Sequence, residues 1–357
     1  MTESSPSRRP YTAMVVVPTG IGAAIGGYAG DALPLARAMA SVADILITHP
    51  NILNGAQLYW PMPNALYVEG YGLDQFAAGR WGLRPVHRNR IGIVLDQAIE
   101  EDLRWRHLQA AEATRATLGL DLTDYVVTDR SLGVELRMAS SGATWGTIQH
   151  PDSLLRAGEK LLQAGADVIA VIARFPEETD SETLQNYRLG QGVDPLAGAE
   201  AVISHLVVRT FQVPCAHAPA LSPLPLDPTI SPKSAAEEIG YTFLPCVLAG
   251  LSKAPQFVIN APAQATDIWA GQVDALVIPA TACGGSATLS LSRTSTQIIA
   301  VDNNATTLNV PAEPLGISAV RATSYLEALG LLAAHKAGIH PQAISTAVPK
   351  LREWQGK

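Results

Sequence analysis

Cysteine, aromatic residues and charge are all scarce in this chain, and each scarcity excludes something. Three cysteines in 357 residues, Cys215, Cys246 and Cys283, cannot form a disulfide framework, and no two stand at the CxxC spacing of a zinc site. Charged residues make up 16% of the chain and hydrophobic ones 47%. A disordered chain has the opposite balance, so a large buried core is expected. The net charge of −7, without a basic tract, argues against a nucleic-acid partner. Aromatic residues are 6%. No window reaches the roughly 20 uninterrupted apolar residues that span a bilayer, so no membrane partner is expected either. The basic pair Arg8 and Arg9 is followed by an apolar run that stops at Pro18, too short for an export signal. Together with the unpaired cysteines, this predicts a cytoplasmic protein.

Glycine and proline, by contrast, are plentiful, with 29 and 25 copies. Short β-branched runs alternate with Ala/Leu-rich stretches, the pattern of βαβ units around mainly parallel sheets with flanking helices in two or three Rossmann-like layers. Strands are expected at 14–17, 45–48, 91–95, 125–128, 168–173, 257–259, 275–279 and 298–301, several apolar throughout and hence buried on both faces. Helices are expected at 32–42, 99–118, 153–163, 197–206, 235–251 and 322–337. Glu100, Glu101 and Asp102 crowd the first turn of the second, and Gly119 follows as its C-cap. Asp152 or Ser153 would cap the third. Six prolines between Pro214 and Pro232 exclude helix and interior strand there. Soft boundaries near 120 and 230 divide the chain into segments 1–120, 121–230 and 231–357, with no internal repeat.

Candidate chemistry gathers at the expected strand ends. After the first strand come Thr19, Gly20, Gly22, Gly26 and Gly27, then Asp31 at a helix start. Such a loop lets backbone N–H groups approach an anion, or supplies positive φ in a tight turn. Gly20-x-Gly22 continues to Gly26 rather than to a glycine at 25, and no ribose-binding acid follows strand two, so classical NAD binding is disfavoured. No cofactor and no metal is required by the sequence. His49 ends the second strand. Arg174 ends the strand at 168–173, where it could clamp a carboxylate or phosphate or pair with Glu177. Asp194 suits the cap of the helix at 197, and Glu200, in an apolar stretch, needs a partner if buried.

Three further groups complete the set. Cys283, with Gly284, Gly285 and Ser286, forms a turn after a buried strand, presenting a thiol, hydroxyls and backbone donors, and Cys283 is the first choice for a reactive residue; the alternative is a small buried hydrophobe. Cys215 and His217, two apart, would share one face of an extended segment as a nucleophile–base pair or two thirds of a metal site, or else belong to a buried loop with a hydrogen-bonded His. Asp302, Asn303 and Thr306 follow another apolar strand and could orient a polar ligand or form a plain turn.

The stretches Pro18-Thr-Gly-Ile-Gly-Ala, Gly-Gly-Tyr-Ala-Gly-Asp31, Gly192-Val-Asp-Pro-Leu-Ala-Gly-Ala-Glu-Ala, Pro214-Cys-Ala-His-Ala-Pro and Thr281-Ala-Cys-Gly-Gly-Ser together resemble an uncharacterised family of cyanobacterial and plant-plastid proteins known as a domain of unknown function. That resemblance covers nearly the whole chain and implies a cyanobacterial housekeeping protein with no activity attached. The strand-Thr-Ala-Cys-Gly turn is also faintly similar to the aspartate/glutamate racemase superfamily, which implies Cys283 and Cys215 as paired acid and base. The resulting expectation is an enzyme of isomerase/racemase or lyase/transferase type acting on a small anionic metabolite. The alternative is a metabolite- or nucleotide-binding protein that uses the glycine loops. Homo-oligomerisation is a base-rate expectation.

Overall fold

The computed structural model describes residues 9–56, 58–177, 181–240, 242–348, 350, 351 and 353. In chain order the elements are β1 (Thr12–Val15), α1 (Leu33–Val42), β2 (Ile45–Thr48), α2 (Pro50–Leu53), β3 (Ala65–Tyr67), α3 (Gly70–Ala77), β4 (Gly82–Arg84), β5 (Arg90–Leu95), α4 (Glu101–Leu118), β6 (Asp121–Val127), β7 (Val134–Met138), β8 (Thr144–Ile148), α5 (Pro151–Gln163) and β9 (Val168–Arg174). They continue with α6 (Glu182–Arg188), α7 (Ala197–Phe211), β10 (Cys215–Ala220), α8 (Pro232–Glu238), α9 (Leu244–Leu251), β11 (Gln256–Val258), β12 (Val273–Pro279), α10 (Ser286–Leu291), β13 (Gln297–Val301), β14 (Ala319–Ala322) and α11 (Tyr325–Ala337).

Two parallel sheets organise the fold, one ordered β14-β13-β12-β1-β2-β3 and the other β10-β9-β5-β6. Successive strand residues point to opposite faces. Thus Met14, Ile47, Leu276 and Ile298 pack on one face of the first sheet with Leu73, Phe76 and Leu291 of α3 and α10. Their neighbours Ala13, Val15, Leu46 and Val277 pack on the other face with Ala36, Met39 and Leu332 of α1 and α11. The second sheet is built the same way. Ile91, Ile93 and Ala170 meet α4 and α9, while Val94, Ile169 and Val171 meet α5 and α7. Each sheet is therefore sandwiched between helices, as the unbroken apolar strands predicted.

The first lobe is discontinuous in sequence. Its strands β1–β3 come from the beginning of the chain and β12–β14 from its end, while the second lobe is inserted between them. The expected boundary near 120 falls between α4 and β6, and that near 230 between β10 and α8. The chain leaves and re-enters the first lobe at β4 and β11, which pair as a two-stranded antiparallel ribbon.

Local differences from the sequence reading have physical reasons. The proline-rich stretch does contain a strand, β10, but at the sheet edge, where a proline such as Pro219 withholds no ladder donor from a second neighbour. The helix expected over 235–251 is two helices, α8 and α9, because Pro245 fits only in a first turn. The third expected helix starts at Pro151, with Asp152 inside its first turn and Ser153 turned toward Asp129 and Arg130 rather than capping. Helix α4 does end at Gly119 in the left-handed conformation.

Candidate functional site

The carboxyl ends of both sheets face one another across a cleft of about 770 Å³. In the first sheet, β1 leads to β2 on one side and pairs with β12 on the other, so its carboxyl end is a topological switch point, where open α/β sheets form a crevice. Val16, Pro18 and Thr19 after β1 and Ile278 of β12 line the cleft there. From the second lobe, Pro219 of β10 and the first half of α7 form the opposite wall.

His217 stands on that wall. Its position on β10 puts it on the same face as Cys215, toward α7, as the two-residue spacing predicts. Glu200 and Ser204, one helical turn apart, share the α7 face that meets it. The Ser204 hydroxyl lies 2.5 Å from His217 Nδ1, and a Glu200 carboxylate oxygen lies 3.6 Å from Nε2. The second distance is too long for a hydrogen bond, so both groups remain able to meet a ligand while attracting each other when the ring is charged. Ser204, only 1% exposed, orients the ring. When Nδ1–H is given to Ser204, Nε2 keeps a lone pair and can take a proton, and the imidazolium that forms faces Glu200.

The rest of the wall is acidic. Seven carboxylate side chains line the cleft against a single guanidinium, that of Arg137, among the described residues. Arg137 is itself occupied, paired with Glu135 at 2.9 Å and lying over the Trp145 ring. Glu177 and Glu238 are neutralised by Arg174 and Arg188. Asp194 accepts the Leu196 N–H at 2.8 Å, but the residue at the cap of α7 is Leu196, without a side-chain cap bond, so Asp194 braces the preceding turn rather than serving as the expected cap. Burial, reinforced by the charge of Glu200, pushes its carboxyl up to about 7. Glu237 is held well above the carboxylate range by burial and by Asp194, and it accepts the Tyr187 hydroxyl at 2.8 Å. Glu69 accepts the Tyr71 and Gly72 N–H groups at the start of α3 and pairs with His205 Nε2 at 2.9 Å. Burial alone would lower His205, but Glu69 and Asp74 outweigh it and raise its pKa. Carboxyls with raised pKa values and histidines thus share one cleft.

Of the residues singled out from sequence, Thr19, His49, Asp194, Glu200, His217, Gly285 and Ser286 line the cleft. The others do not. Gly20 and Gly22 pack tightly against the other lobe, and Gly26 and Gly27 against Val17 and Ala23 of their own loop, rather than forming an open anion cradle. A Cβ on Gly20 would lie 2.7 Å from Thr144 Oγ1, and one on Gly22 would meet Val193 and Gly192. Asp31 ties this loop together, accepting Gly26 N–H at 2.7 Å and pairing with Lys233 at 3.0 Å. Arg174 is engaged by Glu100 at 2.8 Å and Glu177 at 2.5 Å. Gly284 packs on Val310. Asp302 pairs with Arg321, Asn303 N–H bonds to Thr323, and the Thr306 hydroxyl meets that of Thr281 at 2.6 Å.

The thiols also lie outside the cleft lining. Cys283 is fully buried among Ile278, Leu291 and Ala312, with its sulfur 3.6 Å from the Ala280 carbonyl. Burial raises its pKa, and that of Cys215 still further. The two belong to core clusters of different lobes and cannot act as an acid–base pair across one pocket. Sequence reading passed over Glu69, Asp74, Ser204, His205 and Glu237. The one available signal was the helical spacing of Glu200, Ser204 and His205; Glu69 and Glu237 arrive from distant segments. Among the described residues no group of three or more His, Cys, Asp or Glu is gathered to hold a metal ion, and no helix is long and apolar enough to cross a membrane.

A protein of the cyanobacterium Synechococcus sp. is 61% identical to this chain over 337 residues, 94% of each. It bears the name uncharacterized lipoprotein, and that name overturns the cytoplasmic location expected from the cysteines and the missing export signal. The similarity to the racemase superfamily is not shown by any comparison, and no solved structure matches the chain. The family model described as Protein of unknown function (DUF3326) matches residues 12–345, and the chain belongs to that family.

Proposed function

We propose that the protein is an enzyme that moves protons on a small polar molecule held between the two lobes, of isomerase, racemase or lyase type, with His217 as the proton carrier. The observation that supports this most is the hydrogen bond between Ser204 and His217 Nδ1 with Glu200 beside Nε2, on the wall of the cleft. The lining favours an uncharged or cationic ligand, because among the described residues its single guanidinium, Arg137, is already paired with Glu135, while Glu200 stands in the wall with no Arg or Lys beside it. This departs from the anionic ligand expected from the glycine loops.

Incubation with a pool of small metabolites in deuterium oxide tests the reading. Mass spectrometry should find deuterium carried into at least one metabolite by the native protein and not by His217→Asn. Equal incorporation by both proteins, or none by either, would sink it. A second reading, a protein that captures its ligand without turning it over, is favoured by the two-lobed build, in which the chain passes between lobes through the β4–β11 ribbon. Ligand retention without isotope exchange would select it. Following the name of the Synechococcus relative, we place the protein at a membrane through an anchor rather than free in the cytoplasm; recovery in the soluble fraction of its own cells would refute this.

A further inference from the structure

The ring of His49 is fixed by one backbone contact. It follows β2 directly, beside the end of β1, and its Nε2 lies 3.1 Å from the backbone nitrogen of Val17. A backbone N–H can only donate, so Nε2 must offer a lone pair, and the single proton of the neutral ring sits on Nδ1. Charging the ring would put a second proton on Nε2, against the Val17 N–H, in a residue only 9% exposed. Burial accordingly pulls its pKa down to about 4, so the ring is neutral at ordinary pH.

The Nδ1–H has no partner among the described residues. Among the described residues three side-chain atoms are buried without a partner, Arg104 Nε, His107 Nε2 and Gln297 Oε1, and His49 Nδ1 is not one of them. It therefore keeps access to open space, and the open space beside the ring is the cleft. The site is thus built from a buried imidazole with a fixed tautomer, held at the switch point of the first sheet and lining the same cleft as His217 and Glu200 of the other lobe.

We propose that His49 Nδ1–H binds a carbonyl oxygen of the ligand, which makes the substrate class an uncharged or cationic carbonyl compound rather than a carboxylate or phosphate. The inference rests on the proton-transfer reading of the cleft and deepens it. When a C–H bond next to that carbonyl gives its proton to His217 Nε2, the bonding pair moves toward the carbonyl oxygen. Charge then gathers on the atom that the His49 N–H holds. Return of the proton to the other face of the same carbon, with the electron pair moving back from the oxygen, completes an isomerisation without an oxidant, reductant or co-reactant.

Nitrogen-15 NMR of the full chain labelled on histidine tests this, with the His49 signals identified by their loss in His49→Gln. The expected spectrum at neutral pH shows a protonated Nδ1 and a bare Nε2. Acetamide and glycinamide should shift the Nδ1 signal and acetate should not, in the native protein and in His217→Asn alike. A protonated Nε2, a response to acetate alone, or no response to any of the three probes would overturn the proposal. If the amides shift His49 but no metabolite takes up deuterium, the donor stands and the proton-transfer reading falls.

Discussion

Two carboxylates show how much a single side chain can decide. Asp96, at the end of β5, is fully buried and accepts the N–H groups of Leu132 at 3.0 Å, Ala98 at 3.1 Å and Arg174 at 3.2 Å. It thereby fills the switch point of the second sheet with bonds of its own. Asp96→Ala strands these donors, and a loss of about 2–4 kcal/mol is expected in denaturant unfolding. Asp194 carries a signature in pH. Its folded pKa, about 7, exceeds the ordinary carboxyl value of 3.8, so the folded state binds the extra proton between those values and stability falls as pH rises through that window. Asp194→Asn should flatten this decline in melting temperature; an unchanged profile would show that the carboxyl does not titrate there. At this scale the sequence exposed Asp194, Glu200, His217 and His49, because polar residues in apolar surroundings need partners. It could not tell that the Cys283 thiol turns inward: the Cys283 N–H is bound by the Val310 carbonyl at 2.9 Å, a contact 27 residues away in the chain.

Among the elements, α7 carries the most. It supplies Glu200 and Ser204, and its first turn lies directly on the β7–β8 hairpin through two glycines. A Cβ on Gly198 would stand 2.3 Å from Trp145 Cα, and one on Gly146 would stand 2.4 Å from the Ala199 Cβ. Both obstacles include rigid backbone or a first side-chain carbon, so neither can swing aside. Gly198→Ala should cost roughly 1–3 kcal/mol and displace the helix that holds the cleft wall; a heat-denaturation midpoint equal to that of the native protein would contradict this packing. The main parallel strands were legible from their unbroken β-branched runs, and β2 spans the expected 45–48. The hairpin β7–β8 was not, since Val134–Met138 and Thr144–Ile148 mix polar and apolar residues whose burial is set by α7 lying across them.

The whole molecule is a first lobe made from both ends of the chain with a second lobe set into it. Contiguous segments read from composition cannot express this, because β1 pairs with β12 across some 260 residues of sequence. The glycine loop after β1 shows the consequence. Read locally it resembles an anion cradle, but its partners come from the other lobe: Thr144 N–H bonds to the Gly20 carbonyl at 2.9 Å, and Tyr28 stacks on Tyr187 with centroids 4.5 Å apart. What it does is fasten the lobes along one side of the cleft, whose lining comes instead from strand ends and α7. The most direct measurement compares three proteins in deuterium oxide with the same metabolite pool: native, Cys283→Ala and His217→Asn. The native and Cys283→Ala proteins are expected to introduce deuterium equally and His217→Asn not at all. Loss of incorporation in Cys283→Ala with retention in His217→Asn would contradict a proton-transfer site centred on His217 between the lobes.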